Sequence, residues 1–110
     1  MFSQHTQTGY RQVLPGIEIK TLVYGEKSLL TEFHLTGGNK LPRHAHPNEQ
    51  TGYLISGHIR LTIGAETFDV LPGDSWSIPI NIEHGAEIIE DSLAVEVFSP
   101  VREDYLPDRG

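Results

Sequence analysis

Gly38-Asn39-Lys40-Leu41-Pro42-Arg43-His44-Ala45-His46-Pro47-Asn48-Glu49-Gln50-Thr51-Gly52-Tyr53-Leu54-Ile55-Ser56-Gly57 is the stretch on which the reading of the chain turns. Two histidines stand one residue apart, and on an extended strand residues i and i+2 face the same side. Their imidazoles can therefore aim at one point. Thr51 to Ile55 reads as a strand closed by Gly57, and Gln50 at its start is placed to enter the same space. Glu49 is the competing donor and, as a carboxylate, the chemically better one. Neighbours on an extended backbone point to opposite faces, so only one of the two can turn inward. A water in place of either is the third alternative. By spacing alone a His-x-His pair is a weak signal, because most such pairs lie on surfaces.

Outward from this stretch the chain is strand after strand. Ile17 to Tyr24 alternates and is rich in β-branched residues, and Leu29 to Thr36 follows Gly25. Beyond Gly57, His58 to Ile63 places Ile59, Leu61 and Ile63 on one face. Gly64-Ala65 turns the chain into Glu66 to Leu71, and Pro72-Gly73-Asp74 is a further turn signal. Ser75 to Ile78, Glu87 to Glu90 and Leu93 to Phe98 complete the set. No segment of helical length has a 3.6-residue period. Residues 1 to about 15 read as an irregular or edge segment, and the run from Pro100 to Pro107 as a tail lying on the body of the protein. Many short strands at regular spacing predict an all-β sandwich or barrel, with a jelly roll fitting best because its two sheets enclose a pocket. An immunoglobulin-like sandwich has no reason to gather histidines.

The bulk properties narrow the chemistry. The 110 residues match one domain, taken here as 1–110. There is no cysteine, so disulfides, thiolate ligands and a cysteine nucleophile are excluded, and a metal must be held by nitrogen and oxygen. Fifteen acidic residues against eight basic ones give a net charge of −7, which disfavours nucleic acid and anionic membranes. No apolar run approaches the roughly 18 residues of a membrane helix, and no signal peptide is evident at the N-terminus. A cytoplasmic protein is expected.

A third histidine, His84, falls in a second spaced block, Gly73-x5-Pro79-x-Asn81-x2-His84. A divalent first-row metal takes imidazole nitrogen at about 2.0–2.2 Å, with a carboxylate or amide oxygen commonly added. Together the two blocks, residues 38–57 and 73–88, resemble the cupin family. Its first motif, G-x5-H-x-H-x3-4-E-x6-G, is met by Gly38, His44, His46, Gln50 and Gly57. Its second, G-x5-P-x-G-x2-H-x3-N, is met by Gly73, Pro79 and His84, with Asn81 in place of the glycine and Ile88 in place of the asparagine. The resemblance implies a cupin-type jelly-roll barrel with a single metal held by His44, His46 and His84, and Gln50 where the family has Glu. A neutral amide leaves such a site one negative charge poorer and its metal more Lewis-acidic. The metal is one divalent transition ion, with zinc, nickel, manganese and iron all compatible.

Glu96 stands out in Leu93-Ala94-Val95-Glu96-Val97-Phe98, an otherwise apolar strand. Parity puts it with Ala94 and Phe98, opposite Leu93, Val95 and Val97. Either it faces solvent at an edge, or it faces the pocket as a candidate general acid or base, with Phe98 as a pocket wall. The run Glu96-Val97-Phe98-Ser99-Pro100-Val101-Arg102-Glu103-Asp104 is similar to the end of the pectin-degradation subgroup of small cupins. Those proteins carry a three-His, one-Gln centre and convert cyclic 4,5-unsaturated monouronates, left by pectin and alginate lyases, into linear keto sugars. The resemblance assigns Glu96 and Arg102 to catalysis, and Phe98 and Arg102 to substrate binding. The subgroup's acid is typically Asp, one methylene shorter. Arg102 suits a carboxylate through its planar fork, or pairs with Glu103 or Asp104.

A small carbohydrate is thus the expected ligand, with a non-catalytic sugar- or metal-binding module and an iron-dependent dioxygenase as alternatives. A homodimer is expected through the face of Leu93, Val95 and Val97. His5, His34 and His58 are read as non-ligands, and Trp76 as a core or interface residue.

Overall fold

The computed structural model describes residues 1–106, so Pro107 of the expected tail lies outside the described residues. Eight strands follow in order: β1 (Arg11–Leu14), β2 (Ile17–Tyr24), β3 (Leu29–Leu35), β4 (Lys40–His44), β5 (Glu49–Ile63), β6 (Glu66–Val70), β7 (Ser75–Ile78) and β8 (His84–Ser99). A single 3-10 turn, Glu103–Tyr105, closes the described chain. All pairings are antiparallel.

The sequence reading divides residues 49–63 and 84–99 into shorter strands; the structure makes each pair of segments one strand. β5 has 15 residues and β8 has 16. Laid straight at about 3.3 Å per residue, each would span roughly 50 Å, yet the molecule's longest extent is 37 Å. Both strands therefore bend. The bend in β5 falls at Gly57, where the pairing with β8 shifts register three times between Leu54 and Ile59. Gly57 sits at φ +96°, and a Cβ there would lie 2.4 Å from the Asp91 carbonyl oxygen. Only glycine permits that left-handed conformation and that approach. Ser92 stitches the bend: its Oγ accepts from the His58 N–H at 3.0 Å and donates to the Glu90 carbonyl at 2.7 Å.

The bend divides the barrel into two sheets that share β5 and β8. The first runs β1-β2-β3, then the C-terminal half of β8, then the N-terminal half of β5, then β7. The second runs β4, the N-terminal half of β8, the C-terminal half of β5, then β6. Alternation aims Ile17 and Ile19 of β2, Leu29 and Phe33 of β3, Leu54, Ile59 and Leu61 of β5, and Ala94 and Phe98 of β8 into one core. Burying a side chain such as Phe98, fully enclosed here, contributes roughly 2–3 kcal/mol. The tail packs Val101, Tyr105 and Leu106 against that core. This is the all-β jelly roll expected from the sequence. Among the described residues no helix is long and apolar enough to cross a membrane.

Candidate metal centre and adjoining cavity

His44 ends β4 and His84 begins β8, and the two are directly paired across the strands. His46 lies just past the end of β4, so its inward direction comes from the connection to β5 rather than from a regular strand. Ring centres are 4.3 Å apart for His44 and His84, 4.9 Å for His46 and His84, and 5.6 Å for His44 and His46. One ligand atom from each falls within 4.8 Å of the other two, so the three can hold a metal ion.

Each ring is oriented in the same way. The Nδ1–H of His44 donates to the Pro42 carbonyl at 2.8 Å, that of His46 to the Asn48 carbonyl at 3.0 Å, and that of His84 to the Ile82 carbonyl at 2.9 Å. A carbonyl only accepts, so these bonds place the proton on Nδ1 and leave the Nε2 lone pair free. Burial holds the His46 and His84 pKa values down, the latter to about 4, with the positive charge of Arg102 acting in the same direction. Both rings are therefore neutral near pH 7, as ligation requires.

Two observations show that this pocket suits a cation. The Nε2 of His84 is buried and has no hydrogen-bond partner among the described residues, a costly condition for a polar atom. Gln50 is buried, and its Oε1 lies 3.0 Å from the His46 Nε2. With the His46 proton on Nδ1, both atoms are acceptors, and what would reconcile them is a positive ion. Its neighbour Glu49 is exposed. Asn81, at the position where the second motif has glycine, adopts φ +61°. Asparagine tolerates that conformation better than other side chains, and the Asn81 N–H donates to the His46 carbonyl at 2.9 Å.

Glu96 is only 7% exposed and points inward with Ala94 and Phe98. Its Oε1 accepts from the Gln50 amide and from the Trp76 Nε1–H, the latter at 3.1 Å. Burial pushes its pKa up to about 7, against the lowering effect of those two bonds and of Arg102. A cavity of about 460 Å³ opens beside it, with His44, Gln50, Glu96, Phe98 and Arg102 in its wall. Arg102 lies with its guanidinium carbon 4.0 Å from the Tyr105 ring centre and 5.4 Å from that of Phe98. Its Nε donates to Asp104 at 3.0 and 3.2 Å. The ion pair with Asp104 and a place in the cavity wall thus coexist.

His58 pairs with Asp69 and His34 with Glu32, both away from the three-histidine cluster. Three contributors were not visible in the sequence reading. Trp76 is a half-buried donor to Glu96 as well as a core residue. Its one signal is Gly52 opposite it in the β5–β7 register, a strand glycine marking close approach: a Cβ at Gly52 would meet the indole at 2.2 Å. Asn48 supplies the carbonyl that orients His46, and its Nδ2 donates to the Pro100 carbonyl at 2.7 Å. β1 brings Arg11 to the cavity from a segment read as irregular or edge.

Residues 31–100 match the cupin domain family, and the chain belongs to it. Among curated proteins it is similar to the H2HPP isomerase of Bacillus subtilis, 31% identical over 94 residues, which are 84% of this chain. It spans 40% of that relative's length. Among solved structures it superposes on KdgF from Halomonas sp. with a TM-score of 0.90, at 29% identity over 96% of this chain and 98% of the other. An RmlC-like cupin from Shewanella frigidimarina gives the same TM-score, at 25% identity over 96% and 95%.

Proposed function

We propose that the chain is a metal-dependent isomerase of sugar acids, opening cyclic 4,5-unsaturated monouronates of the kind released from pectin and alginate. The observation that carries this reading is Glu96: a buried carboxylate, fixed through one oxygen, set between a histidine cluster and a cavity that also holds Arg102. His44, His46 and His84, with Gln50, would hold one divalent transition metal. Bound there, such an ion supplies Lewis-acid polarisation of a substrate oxygen.

The chain's own residues divide the remaining work. Gln50 and Trp76 both donate to Oε1 of Glu96, which leaves Oε2 to move the proton. Glu96 takes the proton from the anomeric hydroxyl. The C1–O5 bond breaks, its electron pair stays on O5, and C1 becomes an aldehyde. The C4=C5 enolate so formed takes that proton at C4, and C5 becomes a ketone. Atoms and electrons balance as an isomerisation. Burial raises the pKa of this carboxyl group above the ordinary carboxylate range, towards that of a group that takes and returns a proton near neutral pH. The Nη groups of Arg102, free of the Asp104 contact, take the uronate carboxylate, while Phe98 walls the pocket. The isomerase name of the Bacillus subtilis relative is in keeping with a reaction that moves protons without net oxidation.

The test follows the ultraviolet absorbance of the conjugated double bond of the unsaturated monouronate with purified protein of measured metal content. Loss of absorbance with wild type, abolished by Glu96→Gln at unchanged metal content, is the expected result. Equal decay with Glu96→Ala overturns the assignment of Glu96. No decay with metal-replete protein that still binds the sugar acid indicates a binding module, and oxygen consumption a dioxygenase.

A further inference from the structure

Four arginines fall among the described residues, and three have a carboxylate partner: Arg43 with Glu83, Arg60 with Asp69 and Glu87, Arg102 with Asp104. Arg11 makes no ion pair among the described residues, in a chain with 15 acidic side chains. It sits on edge strand β1 and lines the same cavity as His44, Gln50, Glu96 and Arg102. Its one side-chain hydrogen bond among the described residues runs from Nη2 to the backbone carbonyl of Asp104, at 2.5 Å. A guanidinium has five N–H donors in a planar fork, so four remain.

The two guanidinium groups approach the same ring. The Arg11 carbon lies 6.0 Å from the Tyr105 centre and the Arg102 carbon 4.0 Å. Gathering two like charges at one aromatic side chain is unfavourable without counter-charge. The Asp104 carboxylate pairs with Arg102; among the described residues no carboxylate stands at ion-pair distance from Arg11. Glu96, the remaining acid in the wall, is engaged by Gln50 and Trp76. One acidic group on a ligand can satisfy the free face of Arg102, and a second can take the remaining donors of Arg11, which is exposed.

We infer that Arg11 is a second anion-binding residue of this cavity, so that a sugar acid with acidic groups at both ends is held there more tightly than one with a single acidic group and competes with the monouronate the site opens. The inference rests on the reading of the cavity as a sugar-acid site. A second charge-assisted bond formed in a partly enclosed cavity is worth about tenfold in affinity.

The test is calorimetric titration of the full chain, at measured metal content and low ionic strength, with galactarate, galacturonate and galactose. Galactarate is expected to bind about tenfold tighter than galacturonate, and galactose more weakly than either. Arg11→Met should remove the gap between the two acids and leave galacturonate affinity within about twofold, while Arg11→Lys keeps part of it. Added salt should narrow the gap in wild type. Equal affinity of wild type for the two acids overturns the inference. So does loss of both acids in equal proportion in Arg11→Met, which would make Arg11 a latch on the tail. If Arg11→Met behaves as expected but Arg102→Ala leaves galacturonate binding intact, the assignment of Arg102 fails and that of Arg11 stands. If neither acid binds, both fail.

Discussion

Replacing Glu96 by glutamine should make the metal-free protein more stable, and by an amount that depends on pH. In the fold this carboxyl group has a pKa of about 7, against an ordinary value of 4.5, and burial is the largest cause. Between those two pH values the folded state holds a proton that the unfolded state has released. Stability therefore falls as pH rises through this window. The gap, at ~1.4 kcal/mol per pKa unit, amounts to roughly 3 kcal/mol once the group is ionised in both states. Glutamine keeps an oxygen to accept from Gln50 and Trp76 and carries no such penalty. The depressed pKa of His84 works in the opposite sense, weakening the fold as pH falls from about 6.5 towards 4. That contribution cancels when variant and wild type are compared at each pH. Urea denaturation of chelator-treated samples from about pH 4 to pH 8 should show the advantage of Glu96→Gln growing by roughly 3 kcal/mol. A difference that stays flat across that range would mean that Glu96 is not the buried ionisable group described above.

Other substitutions probe the supports of the site. His84→Ala should leave a protein folded by circular dichroism but holding under about a tenth of an equivalent of metal by elemental analysis. Gly57→Ala combines a strained φ with a Cβ 2.2 Å from the Ser92 Oγ and should cost roughly 3 kcal/mol or more in chemical denaturation. A homodimer formed through Leu93, Val95 and Val97 should give twice the 12.3 kDa chain mass in light scattering, and Val95→Glu should return it to a monomer.

Much of the fold is written in alternation. Ile17 and Ile19, Leu29 and Phe33, Ala94 and Phe98 announce their strands and their inward faces. The three histidines and Gln50 are legible because a spaced motif depends on few neighbours. Glu96 is legible because a charge in an apolar strand breaks a pattern. What escapes is whatever depends on partners distant in sequence. The union of residues 49–63 into one strand depends on how Gly57 meets Asp91 and Ser92. The role of Trp76 depends on a carboxylate 20 residues away. The position of Arg11 depends on a tail that begins some ninety residues later. The orientation of each histidine is set by a backbone carbonyl, and carbonyls carry no sequence signal.

The shared strands have a mechanical consequence. The barrel is a folded leaf with its crease at Gly57 and Ser92, and the site is hung from both sides of it. His44 and His84 belong to one leaf, while Gln50, Glu96 and Phe98 belong to the other. Anything that grips both sets pins the hinge. Occupancy of the pocket should therefore be felt as slower amide exchange along the whole crease, far from any atom the occupant touches.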